Sequence, residues 1–261
     1  MRAAVDRDLA ALRGRSPLVH CMTNIVVTGF TANVLLSAGA APAMIEAIEE
    51  SAEFAQIADA LLINLGTVTA AQAESMAAAA QAANSASTPW VLDPVAAGAV
   101  RYRTKLATDL LAARPAIIRG NGSEILSLAG ADGAAGKGVD SLAASEDAVD
   151  AARALARTHG CAVAVSGAVD HLTDGESVIT VDGGHELMTK VTGVGCALGA
   201  VMAAFLAVSD SPLQAAVSAS AVFGTAGRVA AGDAAAPGSF AVAFLDALFR
   251  VPSVDVQVRR S

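Results

Sequence analysis

Short apolar runs alternate along this chain with longer Ala-rich stretches of helical composition, and no other feature constrains the fold as strongly. Parallel strands need a crossover between neighbours, so this alternation is the pattern of a mostly parallel sheet with helices on both faces. The apolar runs predict strands at 18–21, 60–64, 90–93, 116–119, 161–166, 171–173 and 177–181. Helices are expected over 25–37, 70–84, 106–113, 123–129, 146–159, 194–208 and 212–230. Thr69 and Ser145 suit N-cap positions, and Pro212 suits a first helical turn. Segments 161–166 and 177–181, with Asp174-Gly175 ahead of the second, predict an antiparallel meander at one end of the sheet. The polar, Gly-rich piece 130–140 reads as a loop. No linker or internal repeat divides the 261 residues, so a single three-layer α/β/α domain over 1–261 is expected.

Composition raises one rival to a globular reading. Hydrophobic residues make up 54% of the chain and the mean hydropathy is +0.53, which brings a membrane into question. The charge-free stretch 191–209 is just long enough to cross about 30 Å of hydrocarbon. It opens on a Gly-rich turn, however, and only the part from Cys196 onward reads as apolar helix. The next such run, 211–227, is broken by Pro212, Gln214 and several serines. These are read as buried helices rather than membrane spans. With aromatics at only 3%, the core must be built from Ala, Val, Leu and Ile. The apolar surplus also points to burial between subunits.

A formal charge of −8 and a pI near 4.9 leave no basic stripe for phosphate backbones, so nucleic acid is not an expected partner. Residues 1–15 alternate charged and apolar positions and contain no signal-peptide apolar core. Cys21, Cys161 and Cys196 are far apart and form no C-x-x-C pair, which fits a reduced, cytoplasmic setting without a zinc site or disulfide framework. The four histidines show no metal-ligand spacing, and His20, ending an apolar run, reads as a satisfied, partly buried side chain.

The chemistry gathers at two kinds of place. Thr192-Gly193-Val194-Gly195-Cys196 runs straight into an apolar helix. Two glycines opening a helix leave backbone N–H groups facing forward with the positive end of the dipole behind them, which suits an anion. Such a turn also occurs as plain packing. The spacing Gly193-x-Gly195-x-x-x-Gly199 misses the dinucleotide fingerprint by one residue, with no acidic residue about 20 positions on. The Gly133 to Gly138 stretch lacks the glycine and the Ser or Thr of a P-loop. Separately, Asn64-Leu65-Gly66, Asp93-Pro94, Arg119-Gly120-Asn121 and Ser166-Gly167 each end an apolar run. Any one could be an ordinary turn, but together they fall on the strand edge where open α/β sheets bind ligands.

These pieces, in this order, resemble the hydroxyethylthiazole kinases of the ribokinase-like family. The resemblance covers nearly the whole chain. It rests on Pro17-Leu18-Val19-His20-Cys21-Met22-Thr23-Asn24, Pro42-Ala43-Met44, Asn64-Leu65-Gly66-Thr67 and Val91-Leu92-Asp93-Pro94-Val95. It continues through Arg119-Gly120-Asn121-Gly122-Ser123-Glu124, Lys137-Gly138-Val139-Asp140-Ser141 and the Thr192 to Cys196 motif. The resemblance implies transfer of the ATP γ-phosphoryl group to the hydroxyl of 4-methyl-5-(2-hydroxyethyl)thiazole, a thiamine precursor. It further implies a homotrimer with substrate sites between subunits.

Carried onto this sequence, the resemblance gives Gly193, Gly195 and Cys196 the transferred phosphoryl group and Asp93 and Glu124 the surroundings of Mg²⁺. Arg119 would contact ATP phosphate. Ser166, where the family often has Thr, would present its hydroxyl to the nucleotide. Met44, Asn24, Gly66 and Gly193 would line the thiazole site. Cys196 stands where most ribokinase-like kinases carry Asp, and it is expected to accept the alcohol proton or to position the alcohol, not to be a covalent nucleophile. Alternatives on the same fold are a hydroxymethylpyrimidine kinase, disfavoured by Pro42-Ala43-Met44, and an ATP-dependent NAD(P)H-hydrate dehydratase, disfavoured by Cys196. A non-catalytic thiazole or nucleotide sensor would not need metal and phosphoryl sites together.

Overall fold

The computed structural model describes residues 1–131, 143–182, 184–251, 253 and 257–260. Among them nine strands form one sheet in the order β2-β1-β3-β4-β5-β6-β7-β8-β9. The parallel part comprises β1 (Leu18–Met22), β2 (Ala41–Ala43), β3 (Ala60–Asn64), β4 (Trp90–Asp93), β5 (Ile117–Asn121) and β6 (Ala162–Ser166). The meander β7 (Val169–Thr173), β8 (Val178–Asp182) and β9 (Val258–Arg260) adds antiparallel strands beyond β6, as the sequence predicted for the first two.

The central strands are buried on both faces, which is why β3 and β4 read as continuous apolar runs rather than alternating ones. Leu61, Ile63 and Leu92 join one core with α4 (Ala70–Ala86), α5 (Arg101–Leu111), α6 (Gly122–Ala131) and α7 (Ala143–His159). Leu62 and Val91 point the other way, into a core built with α1 (Arg2–Arg15), α2 (Thr28–Ala38), α8 (Val194–Leu206), α9 (Pro212–Asp233) and α10 (Pro237–Arg250). The small side chains of α8 and α9 are buried nearly all round, so the apolar stretch from Cys196 is core. No helix of the described residues is long and apolar enough to cross a membrane.

Local signals behave as their chemistry dictates. Thr69 closes a reciprocal cap on α4: its hydroxyl accepts the Gln72 N–H (3.2 Å) while Gln72 Oε1 accepts the Thr69 N–H (2.9 Å). Pro212 starts α9 behind the Ser211 cap. Ser145 does not cap, because α7 already begins at Ala143. Helix α2 starts at Thr28 rather than at residue 25, since residues 24–27 form a turn closed by Val27 N–H to Asn24 C=O (3.2 Å). Among the described residues, three α-helices, a 3₁₀ helix and two strands lie outside the expected elements: α1, α3 (Ile48–Ile57), α10, the 3₁₀ helix Glu186–Lys190, β2 and β9. The Lys137 to Ser141 segment and most of the expected loop over 130–140 lie outside the described residues, while residues 130 and 131 end α6.

Candidate active site

Parallel strands deliver their last residues to one edge, and the register aligns them. Asn64 pairs with Asp93 at the ends of β3 and β4, and Asn121 with Ser166 at the ends of β5 and β6. Helix α8 begins over this edge. Gly193, its N-cap, has φ +99°, a left-handed conformation that glycine adopts without strain, and a Cβ there would press to 3.0 Å from Val27. The N–H groups of Gly195 and Cys196 fall in the first turn, where no intrahelical acceptor exists for them. Gly199, one turn further on, passes so close to Leu62 and Asp93 that an added Cβ would lie 3.1 and 3.6 Å from them.

Beneath the start of α8 one hydrogen-bond chain ties most of the predicted residues together. Asn24 Nδ2 donates to Cys196 Sγ (3.5 Å) and to Asn64 Oδ1 (3.1 Å). The Gly66 N–H donates to the same Asn64 oxygen (3.0 Å), and Asn64 Nδ2 donates to Asp93 Oδ2 (2.7 Å). Arg119 reaches Asp93 Oδ2 at 3.5 Å through Nη1 and Ser166 Oγ at 3.1 Å through Nε. Gly66 is required sterically, since a Cβ there would lie 2.7 Å from Asn24 Nδ2. Asn64, fully buried at the centre of this chain, was legible only as a strand-ending polar residue and is the main addition to the predicted set.

Asp93 is completely buried, and its Oδ1 has no hydrogen-bond partner among the described residues. Burial raises its carboxyl from 3.8 to about 6, with Glu124 adding to the effect and Arg119 and Asn64 opposing it. Burial, reinforced by Asp93, likewise pushes the Cys196 thiol up, against the pull of Asn64, Arg119 and Asn24. Glu124 is engaged by backbone: Oε1 accepts the Ala96 N–H and Oε2 the Asn121 N–H, both at 2.9 Å. With Asn121 Oδ1 accepting the Glu124 N–H, the second of these forms a cap for α6.

A cavity of about 710 Å³ opens beside this chain, lined by Arg119, Ser166, Asp170, Gly195, Ser220 and Phe223 among others. Met44 is not part of it. It follows edge strand β2, half-buried against the core on the α2 side, so Met44, Asn24 and Gly66 lie toward one end of the strand edge and Ser166 toward the other. A second concavity of about 740 Å³, along α5, contains none of the predicted residues.

His20 is more deeply placed than expected. It is fully buried, with Nε2 on the Ile45 carbonyl (2.8 Å) and Nδ1 unpartnered, and burial lowers its pKa. All three cysteines are free, and burial pushes Cys21 and Cys161 up to about 12, leaving Cys196 as the half-exposed one.

A polar strand edge under a glycine-capped helix, on a mostly parallel sheet covered on both faces, defines a ribokinase-like α/β protein. The pyridoxal kinase of Staphylococcus aureus, solved in complex with AMP-PCP, shares this fold with a TM-score of 0.66 at 19% identity, covering 94% of this chain and 98% of that one. Residues 9–253 match the hydroxyethylthiazole kinase family, and the chain belongs to it. It is 57% identical over 244 residues to the hydroxyethylthiazole kinase of Leptospira interrogans serogroup Icterohaemorrhagiae serovar Lai, covering 94% of this chain and 92% of that protein. The solved hydroxyethylthiazole kinase of Pyrococcus horikoshii OT3 superposes with a TM-score of 0.92 at 39% identity over 98% of both chains.

Proposed function

We propose that this chain, working as one kinase domain, transfers the γ-phosphoryl group of ATP to the hydroxyl of 4-methyl-5-(2-hydroxyethyl)thiazole. The observation that carries this reading is the unbroken chain from Cys196 through Asn24, Asn64 and Asp93 to Arg119 and Ser166. In this reading Asn24 and Gly66, with Met44 further along the same edge, form the acceptor end, Arg119 and Ser166 the nucleotide end, and the start of α8 between them takes the transferring group.

In this reading the Gly195 and Cys196 amides hold the oxygens of the transferring group, where charge accumulates. Gly193 shapes the wall shared with the thiazole. Arg119, only 11% exposed and fixed by Asp93 and Ser166, meets donor phosphates with its planar fork. The acceptor oxygen bonds to the γ-phosphorus as the bond from that phosphorus to the β–γ bridging oxygen breaks, and ADP departs with the electron pair. Cys196 orients the attacking hydroxyl through Sγ. Its raised pKa favours this positioning role, and a loose transition state lets the alcohol proton leave late, to an oxygen of the transferred phosphoryl group and then to water.

Mg²⁺ fits the acceptor left open at Asp93. A buried carboxylate oxygen without a partner suits a hard cation or a water bound to it. No group of three or more His, Cys, Asp or Glu among the described residues is arranged to hold a metal, but Mg²⁺ on a nucleotide needs only one or two carboxylates and water. Asp93 would hold it directly or through water, and Glu124, already bonded to backbone, through water. When bound it would neutralise phosphate charge.

The deciding assay is phosphate transfer from ATP to the thiazole alcohol against a hydroxymethylpyrimidine, with and without Mg²⁺. Preference for the pyrimidine, or no transfer to either, would reject the assignment. We also infer a homotrimer in which a neighbour covers the acceptor end. Ile25 and Val26, beside Asn24, are 71% and 64% exposed, an unusual cost for two adjacent aliphatic side chains. Sedimentation showing a fully active monomer would refute it. Three free thiols support a reducing, cytoplasmic location.

A further inference from the structure

We infer that Asp170 and Ser220 recognise the nucleoside of the phosphoryl donor by accepting a neutral hydrogen-bond donor from it, either a sugar hydroxyl or an exocyclic amine. The inference rests on the nucleotide reading of the cavity given above and adds a specificity determinant to it.

Asp170 lies near the start of β7, 8% exposed, and lines the cavity. Its Oδ1 accepts the Gly167 N–H (3.0 Å), pinning the turn directly after Ser166. Among the described residues no side chain completes a well-formed hydrogen bond to it. Ser220 on α9 faces it closely enough for its hydroxyl to stabilise the carboxylate. Ser220 is itself only 2% exposed, its Oγ has no partner, and it lines the same cavity. A buried hydroxyl without a well-formed partner, such as Ser220 Oγ, costs stability unless something completes it, and Asp170 beside it has acceptor capacity left beyond the Gly167 N–H.

Position and charge decide what completes them. Arg119, Ser166 and Asp170 stand on successive strands β5, β6 and β7, so the backbones of Arg119 and Asp170 are two strand spacings apart, about 10 Å, while the guanidinium leans to Ser166 between them and its charge still reaches Asp170. A carboxylate only accepts hydrogen bonds and repels phosphate. The phosphates therefore belong at Arg119 and the start of α8, and the uncharged nucleoside at Asp170, with Leu198, Met188 and Phe223 as apolar walls for a base.

The test compares wild type, Asp170→Asn and Ser220→Ala. Asparagine keeps an oxygen for the Gly167 N–H but removes the charge and replaces the other acceptor oxygen with an NH2 donor. Binding of a non-hydrolysable ATP analogue is measured by calorimetry without thiazole, and KM and kcat with ATP, 2′-deoxy-ATP, 3′-deoxy-ATP and ITP. The expected result for Asp170→Asn is analogue binding and KM for ATP weakened about tenfold, with kcat within about threefold and thiazole KM unchanged. That loss should vanish for the nucleotide lacking the contacted group: a deoxy-ATP identifies the hydroxyl, ITP the amine. Ser220→Ala should repeat the pattern at about threefold, and it decides the matter alone if Asp170→Asn does not fold. An equal loss with all four nucleotides, or unaltered analogue binding, overturns the inference. Wild-type protein that binds the analogue yet does not phosphorylate the thiazole alcohol would defeat the substrate reading and leave this one standing.

Discussion

Replacing Asp93 with Asn should make the nucleotide-free protein more stable while stopping its reaction. Asp93 is buried with one oxygen unpartnered, and its carboxyl is raised from 3.8 to about 6 chiefly by that burial. The folded state therefore binds the proton more tightly than the unfolded chain does. Its stabilising effect is present below the unfolded pKa and is lost as pH rises through the folded one. Each pKa unit is worth about 1.4 kcal/mol, so ionised Asp93 opposes folding by about 3 kcal/mol at neutral or higher pH and by about half that near pH 5. Asparagine cannot ionise, and it keeps an oxygen for the Asn64 amide. Urea unfolding in EDTA between about pH 5 and pH 8 should show Asp93→Asn gaining stability over wild type, with the gain roughly doubling across the range. Turnover should fall by about 100-fold or more if Asp93 holds Mg²⁺ as proposed, because that carboxylate then loses its charge. A stability difference that stays flat with pH would refute the reasoning, as would a variant that keeps its turnover at saturating Mg²⁺.

Three further outcomes are expected. Cys196→Ala should keep part of the rate, falling about 10- to 100-fold, because the α8 amides remain; Cys196→Asp should stay active, and mass spectrometry during turnover should find no phosphocysteine. Gly66→Ala forces a Cβ within 2.9 Å of three Asn24 side-chain atoms, so thiazole KM should rise and stability fall by about 1–3 kcal/mol, read by kinetics and urea unfolding. Thr69→Ala removes the α4 cap far from the site and should cost about 1 kcal/mol in the same unfolding assay with kinetics unchanged.

The parallel sheet was legible because central strands buried on both faces leave uninterrupted apolar runs, and because their last polar residues stand out against them. Asp93, Asn64 and Ser166 announce themselves in this way. What sequence spacing could not show is that Asn24 reaches Cys196, 172 residues away, through a crossover that only the fold supplies. The missed helices hide their periodicity for separate reasons. In α1 the buried Val5, Leu9 and Leu12 are interleaved with charge, and Asp8 on the same face is itself buried, accepting hydrogen bonds from Ser209, Gln214 and Ser218. In α3 only Ser51 and Ala55 are buried, so there is no apolar stripe to detect. The edge strand β2 contains Pro42, which is tolerated there because an edge needs fewer ladder bonds. Asp170 sits in an alternating strand pattern that gives no sign that its carboxylate is buried.

A thiol at position 196 is easier to understand once Asp93 is seen below it. The hydrogen-bond chain already contains the fully buried carboxylate of Asp93, raised chiefly by burial and further by Glu124, with Arg119 as its only cationic contact among the described residues. A second carboxylate on the first turn of α8 would meet the repulsion that already acts on the thiol from Asp93, and it would compete for Arg119, which the proposed reading assigns to donor phosphate. A neutral thiol adds no charge, keeps the Asn24 hydrogen bond and leaves the α8 amides free for an anion. Such a site works by placing the alcohol and neutralising phosphate charge, which is most of what a loose phosphoryl transfer asks of a protein. Any Cys196→Asp gain from a stronger base should therefore be small, because Asp93 would hold the new carboxyl above its ordinary range. A pH–rate profile of that variant should show an added acidic limb at a raised pKa, and a profile superimposable on wild type would show that the residue at 196 never engages the acceptor.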